Sequence, residues 1–343
     1  MTGQADAPSE VPHVANIRDV AREAGVSYQT VSRVLNGHPN IRAETRQRVL
    51  DAVARLDFRP NRAARMLATS RSHTIGVLAA INGSYYGPTS SIAAIEDAAR
   101  EAGYSTMLAN PRVVDASSLR EAVRHLIDEG VEGIAVLAPQ TRTAQVLADL
   151  GAPIPIVTMQ TELRDADAGL SVDNELGAAI AAQHLLSLGH RRIALVAGPD
   201  DWSEALARTR GFEGALRDAG LEPAAVAAGD WTAESGYLAF QQLRGHGFTA
   251  VFCANDQMAL GLMHAAVERG LRVPEQLSVI GFDDVPESAH YLPPLTTIRQ
   301  DFDELGRRAV ATLLARVEGS PLEFPTALPP RLTVRASTMG APV

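Results

Sequence analysis

The chain has 343 residues, 46% hydrophobic and 21% charged, with 31 basic against 40 acidic side chains and a formal net charge of −9. That length leaves room for a small module and one or two larger lobes. The single cysteine, Cys253, excludes an intrachain disulfide framework, and no apolar run has signal-peptide or membrane-spanning length; a cytoplasmic protein with no membrane partner is expected.

Residues 1–13 are polar and aperiodic, as a disordered tail would be. Ile17, Val20, Ala21 and Ala24 then follow the spacing of a half-buried helix, with Asn16 as its N-cap, Asp19 at the third capping-box position and Gly25 as its left-handed stop. A second short helix follows, capped by Ser27. Val31, Val34 and Leu35 share one face of it, while Gln29, Ser32 and Arg33 share the other. Gln and Arg pair bidentately with adenine and guanine in the major groove. Helix, tight glycine turn, helix is helix-turn-helix spacing. A third helix is predicted from about Ala43 to Leu56, with Val49, Ala52, Val53 and Leu56 inward. A three-helix bundle without a DNA role is the competing reading.

Charge favours the DNA reader. Residues 1–72 hold eleven Arg and seven acidic residues, which gives +4 and leaves −13 for the rest. There is no Lys, so phosphate contacts fall to Arg, polar side chains or backbone amides; Arg18, Arg42, Arg46, Arg48 and Arg59 are candidates, each equally readable as a solvated surface charge. In segment 60–72, Asn61 can cap a helix from Arg62 to Ala68 that is too short to stand alone in water. It would fold on DNA or on a partner helix, where Leu67 could wedge into a minor-groove step; a plain linker is the alternative.

From residue 73 the pattern alternates strand and helix. Strands are predicted at Ile75–Ala80, Ser105–Ala109, Gly133–Leu137, Ile154–Met159, Ile193–Ala197, Ala250–Ala254 and Ser278–Phe282. Helices are predicted at Ser91–Gly103, Ser117–Glu129, Thr141–Leu150, Asn174–Leu188, Glu204–Ala219 and Gln257–Arg269. This rhythm implies an α/β body of parallel sheets covered on both faces. Ligands in such folds bind beyond the carboxyl ends of the strands. Those ends read Gly198-Pro199-Asp200, Asn255-Asp256-Gln257 and Asp283-Asp284, with Arg208 early in a following helix and Trp231, Phe282 and Phe302 as flat walls. Polar grips beside aromatic faces describe a sugar or polyol site, although a strand-end Asp can be a simple cap and Trp231 a core residue.

A periplasmic sugar-binding protein would share the body but not the helix-turn-helix. An enzyme could start from Asp283-Asp284 or His190, yet no nucleophile–base pair, metal-ligand spacing or phosphate loop is evident. No enzymatic activity, cofactor or metal is expected.

The strongest motifs are Asp19-Val20-Ala21, the run from Ala24 to Val34, Pro60-Asn61-Arg62-Ala63-Ala64, Ala197-Gly198-Pro199, Gly229-Asp230-Trp231, the run from Ala254 to Gly261, Pro293 to Ile298, and Gln300-Asp301-Phe302. Together, over about residues 14 to 338, they resemble the LacI/GalR family of bacterial transcriptional regulators. The resemblance implies a helix-turn-helix head (14–59), a hinge (60–72) and a periplasmic-binding-protein-like body (73–340). The body's N-lobe would take about 73–172 and 302–327, and its C-lobe about 173–300 and 328–340. Tyr28, Gln29 and Arg33 would read bases in a palindromic, lac-operator-like duplex. Ser27, Thr30, Ser32, Asn36, Asn61 and Arg62 would also lie at the DNA, and Leu67 would be the hinge wedge. Arg208, Asn255 and Asp283 would hold sugar hydroxyls, with Trp231, Gln300 and Phe302 completing the pocket. Arg42 replaces a capping Ser, Gln160 an Asp, Glu204 a Ser and Tyr85 a Leu of the family prototype; these changes bear on which sugar binds. A galactoside inducer is the first expectation, with other sugars or a corepressor as alternatives. The chain ends at Val343, without the prototype's heptad helix, so a homodimer is expected.

Overall fold

The computed structural model describes residues 15–35, 38–58, 71–81, 85–141, 143, 146, 151–159, 169–320 and 327–342. The expected tail, Asn36, Arg59, Asn61, Arg62, Leu67 with the hinge helix, Gln160 and most of the helix expected at Thr141–Leu150 lie outside them. Contacts divide the chain into two units, Met1–Ser72 and His73–Val343.

The first unit contains α1 (Ile17–Ala24), α2 (Tyr28–Leu35) and α3 (Ala43–Arg55). Asn16 Oδ1 accepts from the Arg18 and Asp19 amides at 2.8 and 3.3 Å, and Asp19 Oδ2 accepts from the Asn16 amide at 3.0 Å. The short Asp side chain thus closes the reciprocal capping box. Gly25 ends α1 at φ 62°, a left-handed turn that lets α2 fold back. Ser27 Oγ accepts from the Thr30 amide at 3.2 Å. At α3, Arg42 makes no side-chain cap bond. Val20, Ala21, Ala24, Val31, Val34, Val49, Ala52 and Phe58 form the core of this unit.

The second unit has two six-stranded sheets. The first contains β1 (Thr74–Ala79), β2 (Ser105–Ala109), β3 (Ile134–Leu137), β4 (Ile156–Met159), β5 (Gly169–Val172) and β11 (Ala327–Leu328). Its order is β11-β5-β4-β3-β1-β2, parallel throughout. The second contains β6 (Ile193–Ala197), β7 (Val226–Ala228), β8 (Ala250–Cys253), β9 (Ser278–Asp283), β10 (Thr296–Arg299) and β12 (Arg331–Thr333). Its order is β12-β10-β9-β8-β6-β7, with only β12 antiparallel. The central strands β3, β8 and β9 are buried at every residue, as strands covered on both faces must be.

The helices are α4 (Tyr86–Glu101), α5 (Ala116–Asp128), α6 (Asn174–Ser187), α7 (Ser203–Asp218), α8 (Ala233–Leu243), α9 (Asp256–Glu268) and α10 (Phe302–Val317). Helix α4 begins five residues before the predicted Ser91, with Pro88 in its first turn, where no intrahelical donor is needed. Strand β4 starts after Pro155, which has no amide to donate. Elements β5, β7, α8, β10, α10, β11 and β12 were not predicted as such. After β10 the chain leaves the second sheet, lays Phe302, Leu305, Ala309, Val310 and Leu313 of α10 and Leu328 of β11 into the core of the first, and returns as β12. With the passage from β5 into α6, the lobes are joined three times among the described residues.

Candidate functional site

In the helix-turn-helix unit, Tyr28, Gln29 and Arg33 are exposed on the side of α2 opposite the buried Val31 and Val34. Ser27 is exposed, Thr30 and Ser32 are half-buried, and the Ser27 and Thr30 hydroxyls lie 2.9 Å apart. A short helix pinned from behind, with Tyr, Gln and Arg facing outward, can enter a major groove. Two of the phosphate candidates also hold this unit together: Arg46 Nη2 donates to the His38 carbonyl at 3.1 Å, and Arg48 Nη2 to the Gly25 carbonyl at 3.3 Å.

In the second unit, a cavity of about 310 Å³ opens at the carboxyl ends of the second sheet. Six of the eight residues expected to hold effector line it: Tyr85, Arg208, Trp231, Asn255, Asp283 and Gln300. Gln160 lies outside the described residues. Phe302 instead stands edge-on to Tyr86 at 5.8 Å and lines a neighbouring cavity.

Arg208, in the second turn of α7, is only 3% exposed. Its Nε donates to Asn174 Oδ1 at 2.9 Å, its Nη1 donates to the Ala254 carbonyl at 2.5 Å, and Nη1 lies 3.3 Å from Asp283 Oδ1. The guanidinium carbon sits 3.9 Å from the Phe282 ring centroid. A buried cation costs several kcal/mol unless its hydrogen bonds are supplied, and these contacts supply them along one edge. Among the described residues Nη2 has no partner, so a donor remains for a bound hydroxyl.

Asp283 also accepts from Gln300 Nε2 at 2.6 Å. Burial raises its carboxyl to about 6, outweighing the opposing pull of Arg208 and Gln300. Beneath it, Asp256 is wholly buried; it accepts from Thr297 Oγ1 at 2.5 Å and from the Val285 amide at 2.9 Å, which ties down the loop after Asp283. Burial, then the nearby Asp283 charge, pushes the Asp256 carboxyl well up.

Aromatic rings form the other wall. Trp231 stands 5.6 Å from Trp202, which is edge-on to Tyr85 at 5.2 Å. The benzo ring of Trp231 packs against Gly198, where an added Cβ would come within 2.3 Å of the ring. Asp230 accepts from the Thr232 amide at 3.0 Å and steadies this loop. Asn255 caps α9 through the Met258 amide at 2.9 Å, and its Nδ2 donates to the Trp231 carbonyl at 3.0 Å.

Two buried polar atoms on cavity-lining residues have no partner, the donor Trp231 Nε1 and the acceptor Gln300 Oε1. Three non-glycine residues here hold positive φ: Trp231 at 74°, Asp283 at 112° and Asp284 at 55°. Unmet hydrogen bonds and left-handed backbone both cost free energy and gather where a ligand is received. Sequence reasoning did not assign Tyr86 or Trp202 to this wall, nor Asn174 or Asp256 behind it. Trp202 had a usable signal, since the chain has only two tryptophans and both meet here. Among the described residues no cluster could hold a metal ion and no helix is long and apolar enough to cross a membrane.

Residues 16–61 match the bacterial regulatory proteins of the lacI family, and residues 182–338 match a periplasmic binding protein-like domain. The lactose operon repressor of Escherichia coli (strain K12) is 36% identical over 324 residues, covering 94% of this chain and 90% of that protein. The HTH-type transcriptional repressor PurR of Haemophilus influenzae (strain PittEE) is 34% identical over 334 residues, covering 94% and 98%. A solved structure of the lac repressor dimer bound to operator and the anti-inducer ONPF aligns with a TM-score of 0.84 at 36% identity, covering 95% of this chain and 99% of that one.

Proposed function

The chain belongs to the lacI family of bacterial regulatory proteins, whose members similar to it are transcriptional repressors, and we propose that it silences sugar-utilisation genes until a small sugar, a galactoside first, releases it from DNA. It acts in the cytoplasm as a homodimer on a palindromic, lac-operator-like site. Tyr28, Gln29 and Arg33 read bases, helped by Ser27, Thr30, Ser32, Asn36, Asn61 and Arg62. The divisions are the head at 14–59, a hinge at 60–72 carrying the Leu67 wedge, and the two-lobed body at 73–340.

The observation that carries the effector assignment is the buried Arg208–Asp283 pair bordering a cavity with two unmet polar atoms and a tryptophan wall. The polar groups orient hydroxyls and the indoles cover a ring's C–H face. Arg208, Asn255, Asp283 and Gln300 are the hydroxyl grips and Trp231 and Tyr85 the walls, with Phe302 in the neighbouring cavity behind Tyr86; Gln160 is assigned to the sugar's far hydroxyls. A sugar that prefers one arrangement of the lobes weakens operator binding by its differential affinity and by no more, about 1–3 kcal/mol in typical cases.

The test is operator binding by fluorescence anisotropy with and without a sugar panel. Release by a sugar supports an inducer, and tightening instead would make the sugar a corepressor. Arg208→Ala should keep sugar-free operator affinity and lose the response, because a charged hydrogen bond contributes about 1.5–3 kcal/mol. A normal response in that variant would reject the assignment.

A further inference from the structure

Away from their crossovers, the lobes meet at a short antiparallel bridge. Gln140, just past β3 of the first lobe, pairs with Trp202, just before α7 of the second. The Ser203 amide donates to the Pro139 carbonyl at 2.8 Å, and the Thr141 amide donates to the Asp201 carbonyl at 3.0 Å. Among the described residues these are the only main-chain bonds between the lobes away from the crossovers. Ser203 opens α7, where an amide has no intrahelical acceptor, so the bridge takes up a donor that the helix leaves over. From the same backbone, the Trp202 indole lines the effector cavity and stands edge-on to Tyr85 of the first lobe at 5.2 Å.

We propose that this bridge is a latch that holds the lobes shut over the effector cavity, so that effector enters and leaves only when residues 139–141 and 201–203 part. The inference rests on the effector reading above and deepens it. The crossovers are covalent and cannot part. Ile81 of the first lobe packs into the core of the second, but apolar contact is non-directional and tolerates a change of lobe angle. Hydrogen bonds weaken steeply with angle, so the bridge is the contact that distinguishes shut from open. Each of its two bonds contributes only about two- to tenfold to an equilibrium, little enough to open often. Its place decides what it controls. Trp202 belongs to the bridge by its backbone and to the cavity wall by its ring, and Arg208 follows in the second turn of the helix that the bridge begins. Parting the bridge moves the indole and the start of α7 together away from Tyr85, which uncovers the cavity.

The experiment uses the full-length protein, wild type and Ser203→Pro, with Ser203→Ala as the control that keeps the amide. Proline suits the first position of a helix, and the preceding Trp202 is already extended at φ −98° and ψ 123°. The substitution therefore removes the donor to Pro139 and spares α7. Amide hydrogen exchange without sugar should show the Thr141 amide protected in wild type and in Ser203→Ala, and exchanging about tenfold faster or more in Ser203→Pro. Stopped-flow tryptophan emission then follows the binding of galactose, glucose, ribose and lactose, since both tryptophans of the chain line the cavity. For a sugar that binds, association and dissociation should both quicken about three- to tenfold in Ser203→Pro, with their ratio within about threefold of wild type. Should Ser203→Pro not fold, Thr141→Pro cuts the other bond and carries the same expectation, with the Ser203 amide as the reporter. A Thr141 amide that exchanges freely in wild type, or sugar rates that stay the same once its protection is gone, overturns the latch and leaves the effector reading standing. Binding by none of the four sugars overturns the effector reading itself, and the latch with it.

Discussion

Arg208 and Asn174 are joined by a buried hydrogen bond, Nε to Oδ1 at 2.9 Å, and Asn174 in turn donates through Nδ2 to the carbonyl of Val172 at 3.0 Å. Val172 ends β5 in the first lobe, and Asn174 begins α6 in the second. The orientation of the guanidinium is thereby set by a residue at a crossover between lobes. Asn174→Ala should weaken sugar binding by about 1.5–3 kcal/mol, the range for a hydrogen bond to a charged group, while sugar-free operator affinity stays within about twofold. Titration calorimetry beside operator anisotropy separates the two, and an unchanged sugar affinity would show that Arg208 is held by its other contacts.

On the DNA side, Arg33→Ala should cost about 1–3 kcal/mol and relax preference at one base pair per half-site. The measurement is a set of operators with single substitutions at one fixed salt concentration. Equal weakening on every sequence would assign Arg33 to the backbone instead.

Asp283 gives a pH dependence of defined sign. Its folded value of about 6 lies above the ordinary 3.8, so burial favours the protonated form. Its contribution to stability is fully present below about pH 4 and is lost as pH rises through about 6. At 1.36 kcal/mol per unit the span is at most about 3 kcal/mol. Sugar binding runs the other way, because the ionised carboxylate is the better acceptor, so affinity should fall as pH drops through about 6. Denaturant titrations and sugar affinities between pH 4.5 and 7.5 test both slopes, and Asp283→Asn should flatten them.

Gly198 sits where a methyl group would meet the Trp231 ring at 2.3 Å. Gly198→Ala should push the indole out of place, destabilise the body by about 1–3 kcal/mol as overpacking does, and shift tryptophan emission. Wild-type emission and sugar affinity in this variant would mean that the loop after β7 yields freely.

The uncapped start of α3 invites an improvement. Arg42 has extended ψ at 137° and no side-chain cap bond, so Arg42→Ser should stabilise the first unit by about 0.5–2 kcal/mol. Thermal melts of a fragment ending at residue 72 would be uninformative if that fragment does not fold alone, so amide exchange of the α3 amides in the full chain is the measurement of choice. Unchanged protection would show that α3 is anchored by Val49 and Ala52 alone.

Much of the body was legible because its central strands are unbroken apolar runs: Ile193–Ala197 falls where the sequence places it, and Ala250–Cys253 within one residue of it. The short strands β7 and β11 were not, since three and two residues give no period to read. Helix α10 carries a readable spacing in Phe302, Leu305, Ala309 and Leu313, but no strand run precedes it in its own lobe. At the cavity, strand-end chemistry pointed to Arg208, Asn255 and Asp283. Asn174 escaped because two asparagines at helix starts look alike in sequence; only the stacking of α6 against α7 decides which one touches the arginine. Tyr86 and Trp202 come together from different lobes, a relation no local pattern contains.

The threefold threading between lobes has a consequence for how the polypeptide is made. Sheet one begins with β1 near residue 74, yet α10 and the edge strand β11 that complete it are not synthesised until residue 328. The lobe that leaves the ribosome first is therefore finished almost last. A stop codon shortly after Arg299 would not trim a tail; it would strip the lid from a half-built neighbour and expose Ile95, Val157 and Leu170 to chaperones and proteases.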